Sequence, residues 1–147
     1  IYIMKKVNQY TLKKISSDFD RIKITSSEAS AAYARNFYGD DLEVFESMFL
    51  ILLNRQNTVI GWAKISQGGI CSTVCDPILV AKYAIETLSK GVILVHNHPS
   101  GNNRPSDVDK QLTEKVKTGL RLFDIQLIDH IILTASEYYS FIDNGNL

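Results

Sequence analysis

Residues 91–109 read GVILVHNHPSGNNRPSDVD, and the rest of the chain is best read outward from them. Val92-Ile93-Leu94-Val95 has the length and β-branched character of a buried strand. That strand delivers His96 and His98, one residue apart. In extended backbone alternate side chains point the same way, so both imidazoles face one side of the strand end. Pro99 to Asn103 must be a loop, because Pro and Gly in such density cannot continue a strand. Pro105-Ser106 then opens a helix with Asp109 in its first turn. Two imidazoles and one carboxylate make three ligands, which for zinc leaves a fourth tetrahedral position to water. A structural site would fill all four with protein atoms.

Such a site also needs a group to take the proton of the attacking water. Glu46 is the candidate. It lies in the most apolar stretch, Phe45 to Leu53, where an unpaired carboxylate is costly to bury unless it faces water at the sheet's edge. The plainer alternative is a carboxylate at the exposed start of its strand, or one paired with a lysine. Glu46 begins its strand whereas His96 ends one, so the two meet only if those strands run antiparallel.

The other polar residues carry alternatives too. His96 and His98 could form a polar turn. Ser106 and Asp109 form a helix-capping pattern in their own right, compatible with the Ser106 hydroxyl turning towards a developing oxyanion. Asp107 competes with Asp109 as the carboxylate ligand. His130 reads as a satisfied core or rim histidine, with a role behind the ligands as the alternative. Cys71 and Cys75 have the wrong spacing for a zinc ribbon and read as small, reduced, buried residues.

Working outward, Tyr10, Leu12 and Ile15 suggest an early strand. Thr25 with Glu28 forms a capping-box pattern for a helix that carries Ala29, Ala32, Tyr33 and Phe37 on one face and ends at Gly39. Phe45 to Leu53 and Thr58 to Ser66 predict a hairpin, broken by Gly68-Gly69. Asp76-Pro77 predicts a helix start, with Ile78, Ala81, Ile85 and Leu88 inward and Gly91 as the stop. Leu112, Val116, Leu120 and Phe123 predict the buried face of a third helix, with Lys110, Lys117 and Arg121 turned to solvent. Strands over Ile125–Thr134 and Tyr138–Ile142 complete an α/β architecture, a mixed β-sheet flanked by helices.

Bulk composition narrows the function classes. The chain has 147 residues, enough for one domain with a real core, here expected over residues 25–147 after an N-terminal extension over 1–24. Sixteen basic and sixteen acidic residues cancel, so nothing draws the whole domain towards nucleic acid or an anionic membrane. No apolar run has the length of a membrane span, and no hydrophobic segment opens the chain as a signal peptide would. The expectation is a cytoplasmic protein.

Glu46, then His96-Asn97-His98, Ser106 and Asp109, resembles the JAMM metalloprotease motif of MPN (JAB) domains. The longer run His96 to Gly101, with Pro105-Ser106, Asp109, Asp129-His130-Ile131-Ile132 and Tyr139-Ser140-Phe141, is similar to the bacterial RadC branch. The resemblance implies a cytidine-deaminase-like fold and a single zinc ion bound by His96, His98 and Asp109, which selects Asp109 over Asp107. It further implies Glu46 as acid/base, Ser106 as a stabiliser of the tetrahedral intermediate, and a peptide or protein substrate. The RadC branch carries a DNA-repair label, and many members begin with a helix-hairpin-helix DNA-binding module. These 147 residues leave no room for one, so direct nucleic-acid binding is not expected. Pro77-Ile78-Leu79 stands where the family usually has Pro-Arg-Glu.

The leading expectation is therefore a JAMM-type zinc hydrolase of peptide, isopeptide or other amide bonds. A non-catalytic or DNA-repair-associated accessory domain and a purely structural metal domain are the alternatives. A zinc nucleobase deaminase is disfavoured, since its H-x-E and P-C-x-x-C signatures are absent.

Overall fold

A computed structural model describes residues 7–11, 13–68 and 75–147. Its elements in chain order are α1 (Ser27–Arg35), a short 3-10 helix (Gly39–Glu43), β1 (Ser47–Leu53), β2 (Val59–Gln67), α2 (Pro77–Glu86), β3 (Gly91–Asn97), α3 (Asp107–Arg121), β4 (Gln126–Leu133) and β5 (Tyr138–Ser140). The strands form one mixed sheet in the order β2-β1-β3-β4-β5. β1 pairs antiparallel with both β2 and β3, β3 pairs parallel with β4, and β5 returns antiparallel. The predicted α/β class with a mixed sheet and flanking helices is what the chain adopts.

β1 and β3 are central and buried along their whole length, which is why both read as continuous apolar runs rather than alternating ones. Alternate residues serve opposite layers. Phe49, Ile51, Ile93 and Val95 pack with α1, whereas Leu50, Leu52, Val92 and Leu94 pack with α2 and α3. The sheet is thus the middle of three layers.

Several boundaries and faces differ from the sequence reading. Described residues of the early segment form no strand beyond an isolated bridge from Lys23 to Thr58; Tyr10 and Ile15 are almost fully exposed, and Leu12 lies outside the described residues. Helix α1 is capped by Ser26 rather than Thr25, the Ser26 side chain accepting from the Ala29 N–H. It ends at Arg35, and Gly39 (φ +51°) instead opens the 3-10 helix. Asp76 and Pro77 do start α2, but Val80 and Ala84 face the sheet while Ile78 and Leu88 are largely exposed. The helix is apolar on nearly every side, so its pattern gives no phase, and small residues take the close approach. Gly91 is not a stop but the first residue of β3, where an added Cβ would sit 2.9 Å from the Ile128 side chain. In α3, Asp109 and Thr113 are buried, because the helix turns its first two turns towards the polar end of β3; Phe123, beyond the helix end, is about half exposed.

No helix among the described residues is long and apolar enough to cross a membrane. Cys75 is half-buried, and burial, reinforced by the charge of Asp76, pushes its thiol up to about 12, which fits an inert packing residue. Cys71 and Gly69 lie outside the described residues.

Candidate metal centre

The antiparallel pairing of β1 with β3 places Met48 opposite His96, so the start of β1 meets the end of β3. Glu46 precedes the first residue of β1 by one position, two residues before Met48. A carboxylate oxygen of Glu46 and one ring nitrogen each of His96 and His98 all lie within 4.8 Å of one another. That separation is within the reach of one bridging water.

Helix α3 contributes the fourth group. The Ser106 Oγ accepts from the Asp109 N–H at 3.1 Å, and Asp109 Oδ2 accepts from the Ser106 N–H at 2.7 Å, a reciprocal capping box. The Ser106 hydroxyl also donates to Oδ2, at 2.6 Å. Thus Ser106 holds one oxygen of Asp109 and aims the other, Oδ1, at His96 Nε2, 3.2 Å away. Asp107 points elsewhere: it is exposed and 3.6 Å from the Lys110 ammonium.

The donor atoms suit a small divalent cation. His96 Nε2 and His98 Nε2 are 2.9 Å apart; Asp109 Oδ1 lies 3.2 Å from the first, and Asp109 Oδ2 3.7 Å from the second. Donors held about 2.0–2.1 Å from zinc at tetrahedral angles would be roughly 3.3 Å apart, a spacing the three values bracket. His98 Nδ1 lies 2.6 Å from the Asn102 carbonyl, which can only accept, so a neutral His98 carries its proton on Nδ1 and its lone pair on Nε2. Burial opposes the charge on Asp109, but hydrogen bonding and charge from His96, with the Ser106 bonds, hold its carboxyl well below the usual range. The ionised carboxylate is the form that a metal would bind.

Two residues behind these groups were not singled out by the sequence. Asn97, between the histidines, points to the other face and is fully buried. Its Oδ1 accepts from the Ser47 N–H at 2.8 Å, while its Nδ2 donates to the carbonyls of Phe45 at 2.8 Å and Leu42 at 2.6 Å. The buried Tyr38 hydroxyl donates to the Ser47 carbonyl, and the Gly68 N–H donates to that of Glu46. The peptide groups on both sides of Glu46 are therefore tied down. Thr113, on α3, is the second; its hydroxyl contacts the fully buried His130. A polar residue wedged in a buried strand end was the only available signal for Asn97; Thr113 offered none.

The remaining sequence-marked residues support the frame. Asp129 is buried, accepting from the Ser140 hydroxyl at 2.6 Å and from the backbone N–H groups of Ile142 and His130. Phe141 stacks on the His130 ring at 4.7 Å between centroids. Lys117 and Arg121 line an open cleft with Arg55 and Lys90, and Arg121 is about 18 Å along α3 from Asp109 by helical rise.

The family model for the RadC-like JAB domain matches residues 24–146. The chain belongs to the RadC-like JAB family. This RadC-like domain is 42% identical over 123 residues to a UPF0758 protein of Flavobacterium johnsoniae, covering 84% of the chain and 53% of that relative. It is 36% identical over 128 residues to a UPF0758 protein of Fusobacterium nucleatum, covering 87% and 54%. Over 146 residues it is 34% identical to UPF0758 protein YfjY of Escherichia coli, covering 95% and 89%. The chain thus spans about half the length of the first two relatives and most of the third. Ile78 and Leu79 are exposed on α2.

Proposed function

We propose that this RadC-like domain is a zinc-dependent hydrolase of JAMM type, cleaving a peptide, isopeptide or other amide bond. The observation that carries the reading is the convergence of two imidazoles and one carboxylate at 2.9, 3.2 and 3.7 Å, with a second carboxylate, Glu46, one water-length away. His96 Nε2, His98 Nε2 and an oxygen of Asp109 would hold the ion. When bound, zinc lowers the pKa of a water and polarises a carbonyl.

The chain's own residues supply the rest. Glu46 accepts the proton of the attacking water as the new C–O bond forms, and passes it to the leaving nitrogen as the C–N bond breaks. Ser106 donates to the oxyanion of the tetrahedral intermediate. Its hydroxyl proton must first turn away from Asp109 Oδ2; rotation about Cβ–Oγ does this while Oγ still accepts from the Asp109 N–H. The Ser106 N–H keeps Oδ2 in place meanwhile. The substrate partner is a peptide or protein chain, and the neutral charge balance gives no reason to invoke nucleic acid.

One observation favours a second reading. Glu46 is close enough to the histidines to become a fourth protein ligand, which would close the site and make the metal structural. Metal content of wild type and His98→Ala, with peptide-library hydrolysis on the same samples, tests the hydrolase reading. Stoichiometric zinc and hydrolysis, both lost in His98→Ala, are expected; zinc without any hydrolysis would support the closed site.

A further inference from the structure

Four groups in contact run behind the candidate metal centre. The Thr113 hydroxyl lies 2.6 Å from the Asp109 carbonyl and 2.6 Å from His130 Nδ1. His130 Nε2 lies 2.8 Å from His96 Nδ1. Every member apart from the carbonyl is fixed in role by its neighbour. A carbonyl can only accept, so the single hydroxyl proton of Thr113 goes to Asp109. The Thr113 oxygen must then accept, which puts a proton on His130 Nδ1. A second proton on His130 would be a full charge with no water access. His130 Nε2 therefore accepts, and His96 Nδ1 carries the proton. A neutral His96 then has its lone pair on Nε2, the atom facing His98 and Asp109.

We infer that His130 and Thr113 are positioning residues that set which nitrogen of His96 is offered to the metal. The chain of bonds begins at the backbone of Asp109 and ends at the ring of His96, so it ties two prospective ligands from different elements to one orientation. An imidazole ligand usually gives its other N–H to a carboxylate, a carbonyl or water. Here a neutral ring takes that place, so the acceptor adds no charge behind the ligand. With a neutral His98 in the same tautomer, set by Asn102, two neutral rings would turn lone pairs on each other at 2.9 Å beside a carboxylate, so a proton or a metal ion must lie between them.

This inference rests on the metal-site reading, and the test separates the two. Zinc affinity of the purified domain is measured by chelator competition for wild type, His130→Leu, His130→Gln, Thr113→Val and Thr113→Ser. Gln carries an acceptor and a donor at nearly the separation of the imidazole nitrogens, and Ser keeps the hydroxyl. The Leu and Val variants should bind about 10–100-fold more weakly, with Gln and Ser recovering most of the loss. Unchanged affinity in Leu and Val, or Gln no better than Leu, would overturn the role. Nitrogen-15 spectra of the imidazoles in metal-free protein give an independent readout. A proton on His96 Nδ1 is expected, and one on Nε2 alone would refute the relay even if wild type bound no zinc.

Discussion

Met48 and His96 stand directly opposite each other across the antiparallel pair β1–β3. Two residues before Met48 is Glu46, and two residues after His96 is His98, so the pairing carries an acid and a base to the same sheet end. Both imidazoles emerge at the carboxyl end of β3, beside the parallel strand β4, where open α/β sheets form ligand crevices.

Glu46→Gln separates proton transfer from metal binding. If Glu46 handles the proton, the variant should retain full zinc occupancy and lose about 10²–10⁴ in rate. Zinc content and turnover measured on the same preparation decide it. A variant that sheds its zinc would make Glu46 a ligand instead.

Asn97→Ala removes the side chain that clamps the Glu46 segment. Three backbone groups, the Ser47 N–H and the carbonyls of Leu42 and Phe45, lose their bonds to it. Each one that water cannot reach should cost about 1–3 kcal/mol, visible in a denaturant melt. Because Glu46 loses its anchorage while the ligands keep theirs, turnover should fall far more than zinc affinity. Equal losses in both would show that Asn97 matters only to the fold.

Ser106→Ala deletes both a helix cap and the donor proposed for the oxyanion. The cap should be worth about 0.5–2 kcal/mol. Turnover should drop by about 10²–10³ with zinc retained. Ser106→Thr keeps the hydroxyl and should restore much of the rate. An alanine variant with wild-type turnover would remove Ser106 from the mechanism.

Asp129 gives a stability signature in pH. Burial raises its pKa against the pull of its bonds to Ser140, Ile142 and His130. The folded protein thus holds this proton more tightly than the unfolded chain does. Stability owed to it is present below the ordinary aspartate value and is lost as pH rises through the raised one. Asp129→Asn has no proton to lose, so its stability relative to wild type should improve across that window and level off beyond it. A difference that is flat in pH would mean the folded and unfolded values coincide.

What could be read from the chain was local. His96, His98, Ser106 and Asp109 fall within fourteen residues of one strand-loop-helix unit, so spacing alone set their relation. The orientation of β1 against β3 followed from requiring Glu46 and His96 to share an end. The phase of α2 was not legible, because Ile78, Leu79, Val80, Ala81, Ala84 and Ile85 leave little polar contrast around the helix. The role of Asn97 was hidden, and that of His130 stood only as an alternative, for another reason. Asn97 bonds to groups 50 to 55 residues away and His130 to groups 17 and 34 away, contacts that only the folded sheet creates.

The most direct measurement is a zinc-bound crystal structure with anomalous scattering at the zinc edge. The ion should be held by His96 Nε2, His98 Nε2 and one oxygen of Asp109, with a water in the fourth position hydrogen-bonded to Glu46. A shell closed by Glu46 itself, or zinc bound away from the two histidines, would contradict a catalytic centre in this domain.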